Sequence, residues 1–228
     1  MQDGLLVLLW SMVFAGGLGF CLWLASREVR RTDVRDVLHI GAGVWPLGWS
    51  AWHSPWPPVL LALAGFLVLL SVPWLARKVG AARALEGAVS GEGEAWSGLV
   101  LYGLSAVVFT AVGFPGHSPF PAAAALLALA LGDGIGGRVG RQWGRHWFRV
   151  PWAKRKSLEG TVVVAIFAAL GTELAGVVSG APVSPVRVLG AGLAAAVAEA
   201  LAPRATDNLL VPVAVWLVTG GLESVGRP

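Results

Sequence analysis

An all-α, polytopic membrane fold is predicted by three features of this sequence. Its 228 residues are 56% hydrophobic and only 13% charged, where a soluble domain carries about a quarter charged residues. The apolar residues fall in runs close to the 17–25 residues that a helix needs to cross a bilayer core, roughly. The basic residues collect in alternate connections between those runs. A single water-soluble core cannot hide that much apolar surface, so lipid is part of the solvent.

The runs give about eight spans, near 4–25, 38–53, 58–76, 96–113, 120–137, 159–178, 186–201 and 208–222. The first begins at Gly4 with no basic segment before it, so a retained span is expected rather than a cleaved signal. Pro46 interrupts the second. The third and sixth are long and clear, and the seventh is short. Small residues crowd the later spans, as in 122–125 and 194–196. In lipid, where no hydrophobic force drives helices together, such residues let backbones approach closely. The chain reads as one membrane-embedded domain over 1–228, with N-terminal spans in 1–119 and a chemically richer core in 120–222.

Loop charges select an orientation. The connections 26–37, 77–95, 138–158 and 202–207 carry four, three, seven and one Lys or Arg, fifteen in all, while the other side has only Arg187 and Arg227. Basic loops stay in the cytoplasm, so both termini are expected outside, which an even number of spans allows. The same placement accounts for the net charge of +4 without nucleic acid. The single cysteine, Cys21, lies in an apolar run and excludes an intrachain disulfide or a multi-cysteine zinc site. Arg outnumbers Lys by fourteen to three amid abundant Ala and Gly. That usage suggests a GC-rich prokaryote, and with it the plasma membrane.

Acids in or beside lipid are costly and therefore informative. Asp133 falls near the cytoplasmic end of span five, Glu159 at the start of span six, Glu199 near the end of span seven and Asp207 at the start of span eight. Four carboxylates are thus expected at one depth beside the most basic loop. Hard oxygen donors without a His/Cys cluster suit Mg²⁺ completed by substrate phosphates. Ordinary pairing of each acid with Arg or Lys at a helix end is the plainer alternative.

Within 132–144, glycines at 132, 136, 140 and 144 make a bare stripe every fourth residue. It serves close packing by another helix or approach by a phosphate chain, here through Gly136, Gly137 and Gly140. Lys154, Arg155, Lys156 and Ser157 directly precede span six, where free backbone N–H groups also favour anions. A positive-inside anchor for lipid headgroups would look similar. Neither a Walker A loop nor a G-x-S-x-G elbow occurs. Trp49, Trp52 and Trp56, and on the other side Trp143, Trp147 and Trp152, fit aromatic belts.

Three blocks make the sequence resemble the phytol kinase/dolichol kinase family of polyprenol kinases. They are Gly132-Asp133 with the glycines to Gly144, then Arg155-Lys156-Ser157-Leu158-Glu159-Gly160-Thr161, then Glu199 followed by Asp207-Asn208-Leu209-Leu210-Val211-Pro212. A basic stretch leading to His39-Ile40-Gly41 is a weaker fourth. The resemblance implies phosphoryl transfer from a nucleoside triphosphate, typically CTP, to the hydroxyl of an isoprenoid alcohol. On that reading Asp133, Glu199 and Asp207 are metal or catalytic carboxylates. Lys154, Arg155, Lys156 and Ser157 contact phosphates, Glu159, Gly160 and Asn208 support the nucleotide or metal, and His39 sits beside the triphosphate.

Phosphatidate cytidylyltransferases share a related Gly-Asp block and a related basic block, but their closing histidine- and glycine-rich signature is missing here. A cytidylyltransferase making a CDP-lipid is therefore the rival within the same chemistry. A transporter would place its acids near the midplane, often in two repeated halves. A scaffold without turnover would leave the acids idle.

Overall fold

A computed structural model of the chain describes residues 2–89, 95–114, 118–153, 155–203 and 205–226. Lys154, Arg204 and Arg227 lie outside the described residues. The described chain is all-α apart from one two-stranded hairpin.

Helix α1, Gln2–Ser26, is apolar on every side and buries only Cys21. Near its start, Asp3 accepts hydrogen bonds from the backbone N–H groups of His53 and Ser54, at 3.0 and 3.1 Å. Glu28, at φ 59°, then reverses the chain. The return path is α2, Arg31–Ala42, followed by a 3-10 helix, Trp45–Ala51. This corrects the expected span 38–53. Its helix starts seven residues earlier, inside the charged stretch, and ends at Ala42, the residue whose carbonyl the Pro46 ring would strike. Trp45 Nε1 donates to Thr110 Oγ1 at 2.9 Å and steadies the break.

Helix α3, Trp56–Leu75, starts on Pro57 and Pro58, whose missing N–H groups cost nothing in a first turn. A short amphipathic helix, α4, Gly80–Val89, occupies what the sequence suggests is a loop. Arg83 Nε donates to the Ala76 carbonyl beyond the end of α3, at 3.1 Å. Then come α5, Ala95–Gly113, and α6, Phe120–Ala128. The latter continues through a π turn, Leu129–Asp133, into α7, Gly134–Trp143. That helix is 24 residues long in all and runs past its expected end at 137. Strands β1, Trp147–Phe148, and β2, Lys156–Ser157, pair antiparallel. The chain closes with α8, Leu158–Ser179, α9, Pro185–Leu201, α10, Asp207–Val218, and α11, Gly221–Gly226.

Among the described residues, five helices are long and apolar enough to cross a membrane: α1, α3, α5, α6–α7 and α8. At the other three expected spans the helices are shorter: one ends at Ala42, one has 17 residues and one has 12. All nine residues of α6 are buried. It lies at the centre, against α5, α8 and α10. Its alanines make this possible, and so do glycines on its neighbours: a methyl added to Gly171 of α8 would lie 2.8 Å from the Leu127 carbonyl. Apolar side chains of α1, α3, α8 and α9 face outward instead, as a lipid-solvated bundle requires.

Candidate functional site

The site sits at the end of the bundle where α1 finishes and α8 begins. A cavity of about 280 Å³ opens there, with walls from α2, α5, α7, the hairpin and the α9–α10 connection.

Asp133 closes the π turn, whose extra residue shifts backbone carbonyls out of regular register. One of them, Leu129 O, lies 3.3 Å from His39 Nε2, and the same nitrogen is 3.6 Å from Asp133 Oδ2. Two acceptors flank that nitrogen, which favours the tautomer with its proton on Nε2. The far side of the imidazole packs edge-on against Tyr102, with ring centres 4.4 Å apart.

Glu199 extends the buried small-residue face of α9 that includes Ala191, Gly192, Ala195 and Ala196. Lys156 reaches it from β2 and forms a close ion pair. Its Nζ also lies 3.6 Å from Asp207 Oδ2, at the first turn of α10. Burial alone would lower the Lys156 pKa, but the negative charges of Glu199, Asp207 and Asp133 outweigh it and hold the ammonium above its ordinary range. Asp207 Oδ1 accepts from Asn208 N at 3.0 Å and from Asn208 Nδ2 at 3.2 Å. Asn208 is 8% exposed, lines the cavity, and keeps a buried Oδ1 with no hydrogen-bond partner among the described residues.

The basic rim has its own logic. Arg155 lies over the Trp147 ring, 5.0 Å from its centre, as a cation–π contact. Ser157 pairs with Trp147 across the hairpin and caps α8, its hydroxyl accepting from Gly160 N at 3.1 Å. Arg141 of α7 is ion-paired with Asp36 of α2. Burial pushes the Asp36 carboxyl up, against the opposing pull of Arg141, Arg35 and His39.

Asp133, Glu199, Asp207, Lys156, Arg155, Ser157, Gly160, Asn208 and His39 all line one cavity. Glu159 does not join them. It turns to the hairpin, where it accepts from His146 N at 3.2 Å and lies 2.7 Å from His146 Nδ1. The expected quartet of acids is therefore a trio in the cavity, and Glu159 holds the end of the loop. Gly136 and Gly140 also have a packing duty. A methyl on Gly136 would meet the Gly160 carbonyl at 3.0 Å, and one on Gly140 would meet Ser157 Oγ at 2.9 Å. Gly137 is open to the cavity, with only the tip of Arg141 nearby, at 3.2 Å.

The residues the sequence did not single out are Arg35, Asp36 and Arg141. A signal existed: Asp33, Asp36 and His39 are spaced three apart, as are Arg138 and Arg141. Such spacing sets each group on one helix face.

The fit of this donor set to Mg²⁺ follows from charge and hardness. Three carboxylates gather round one lysine in a largely buried place, with an orphaned amide oxygen beside them. Among the described residues no three His, Cys, Asp or Glu side chains form a closed metal cage. An open site with one or two carboxylates, completed by water and phosphate oxygens, is the ordinary Mg²⁺ arrangement. The donors fit it. Comparison with protein-family models, curated proteins and solved structures finds no match for this chain.

Proposed function

We propose that this chain is a membrane-embedded kinase that transfers a phosphoryl group from a nucleoside triphosphate, with CTP favoured, to the hydroxyl of an isoprenoid alcohol. The observation that carries the reading is the joining of Asp133, Glu199, Asp207 and Lys156, from separate parts of the chain, in one cavity rimmed by arginines. The three sequence blocks behind the polyprenol kinase resemblance supply most of those walls. In the same reading the chain crosses a prokaryotic plasma membrane eight times, with the cavity facing the cytoplasm. The fifteen basic residues of the alternate connections support that orientation.

Phosphoryl transfer asks a protein for charge neutralisation and in-line alignment more than for covalent help. Arg35, Arg155 and Lys156 offer cationic contacts to a triphosphate, and Asp133, Asp207 and Asn208 offer oxygens to Mg²⁺. Bound there, the ion would offset charge on the phosphate oxygens. The alcohol oxygen attacks the terminal phosphorus, the bond to the bridging oxygen breaks, and the nucleoside diphosphate leaves. Asp133 or Asp207 takes the hydroxyl proton. Glu199, held by Lys156, is the poorer base. His39 keeps Asp133 in place.

The test is a purified-protein assay crossing four γ-labelled nucleoside triphosphates with a panel of isoprenoid alcohols and diacylglycerol. The expected result is label on an isoprenoid alcohol, lost in Asp133→Asn and Asp207→Asn while both variants still insert and fold. Label on diacylglycerol alone, or on no lipid, overturns the reading. With α-labelled CTP, pyrophosphate release and a CDP-lipid product would point to the cytidylyltransferase instead.

A further inference from the structure

A nucleoside triphosphate carries a flat aromatic base, and the cavity offers such a group one place to rest. Among the described residues its walls are charged, polar or small, apart from Leu99, the His39 ring and Trp147. Leu99 is buried in an apolar cluster with Cys21 and Val34. The His39 ring is already engaged, with Asp133 and the Leu129 carbonyl at Nε2 and Tyr102 against its face. That leaves Trp147. Trp143 and Trp152 are exposed too, but they line no part of the cavity.

The Trp147 ring is held ready. Its Nε1 donates to the Gly144 carbonyl at 3.1 Å, which satisfies the one polar group of the indole and fixes the ring. The Arg155 guanidinium lies 5.0 Å from the ring centre. With Arg155 in place the residue is still 39% exposed, which leaves ring surface for a second flat partner. Such surface gains free energy when an apolar face covers it. Trp147 pairs directly with Ser157 across the hairpin, and side chains of paired strand residues stand on one face. Ser157 caps α8, whose first backbone N–H groups favour phosphate. A base on Trp147 therefore lies one strand spacing, ~5 Å, from where the phosphates would pass.

We infer that the base of the nucleotide stacks on Trp147, with its phosphates running past Ser157 and the start of α8 towards Lys156. The inference rests on the function proposed above and adds the residue that holds the nucleoside. Stacking accepts every base, because each has a π face, so this contact gives affinity and leaves the choice among bases to other groups.

The experiment is titration calorimetry of the full chain in lipid nanodiscs with Mg²⁺, using two probes: inorganic tripolyphosphate and a non-hydrolysable CTP analogue. Wild type is expected to bind both, the analogue more tightly. Trp147→Ala should weaken the analogue at least about fivefold, the low end of what a base loses with its aromatic platform, and leave tripolyphosphate unchanged. Trp147→Phe should keep most of the affinity for the analogue. Equal binding of the two probes by wild type, an analogue affinity that survives Trp147→Ala, or a parallel loss for both probes in that variant would overturn the inference alone. A wild type that binds neither probe would overturn the proposed function and this inference with it.

Discussion

Lys156 decides the electrostatics of the cavity. Its ammonium lies against Glu199 and 3.6 Å from Asp207, and it is the residue that lets carboxylates stand together away from water. Removing one partner of a buried ion pair costs about 3–5 kcal/mol, because the other charge is left without compensation. Lys156→Met should therefore lower stability by about 3 kcal/mol, read as a fall in the denaturation midpoint in detergent. Mg²⁺ should raise the melting temperature of that variant more than that of wild type, since the ion replaces the missing charge. Equal shifts in the two proteins would show that the acids do not share a cation site. Asn208 adds to the same picture: its buried Oδ1 has no partner among the described residues, and such an atom is costly unless something else meets it.

At the scale of elements, the seam between α7 and α8 is what holds the two halves of the site in register. Gly136 faces the Gly160 carbonyl and Gly140 faces the Ser157 hydroxyl, so helix contact and site wall are one surface. Gly136→Ala pushes a methyl into backbone and should destabilise the bundle by about 1–3 kcal/mol. Gly137→Ala meets only a movable arginine tip; it should leave the melting temperature unchanged or slightly raised, as alanine favours helix. Equal effects would contradict the assignment of one glycine to packing and the other to the cavity. The four-residue glycine spacing was legible in the sequence, because helix periodicity turns it into a stripe. What the stripe touches was not, since Gly160 and Val164 come from another helix. The same limit applies to α4, whose ten amphipathic residues read as a basic loop, and to Glu159, whose partner His146 lies across the hairpin.

At the scale of the whole molecule, segments run back and forth around α6 and bring distant residues to one end. Residues 39, 133, 156, 199 and 207 share the cavity across most of the chain's length. Hydropathy showed the runs and charge asymmetry showed which connections belong together, so the common depth of Asp133, Glu199 and Asp207 could be read before any coordinates. The arginine–aspartate pairing of α2 with α7 could not. Asp36 and Arg141 are 105 residues apart, and each alone looks like an ordinary surface charge. The three segments short of membrane length are broken near Pro46 or border the polar residues of the site.

The arrangement makes one demand above others: Mg²⁺ and a nucleoside triphosphate must bind together where those carboxylates meet. Isothermal titration of the purified full chain with a non-hydrolysable nucleoside triphosphate, with and without Mg²⁺, measures this directly. The expected result is Mg²⁺-dependent binding at one site per chain, weakened at least about tenfold, roughly 1.4 kcal/mol, in Asp133→Asn and Asp207→Asn. Binding that ignores Mg²⁺, or that survives both substitutions unchanged, would contradict the account.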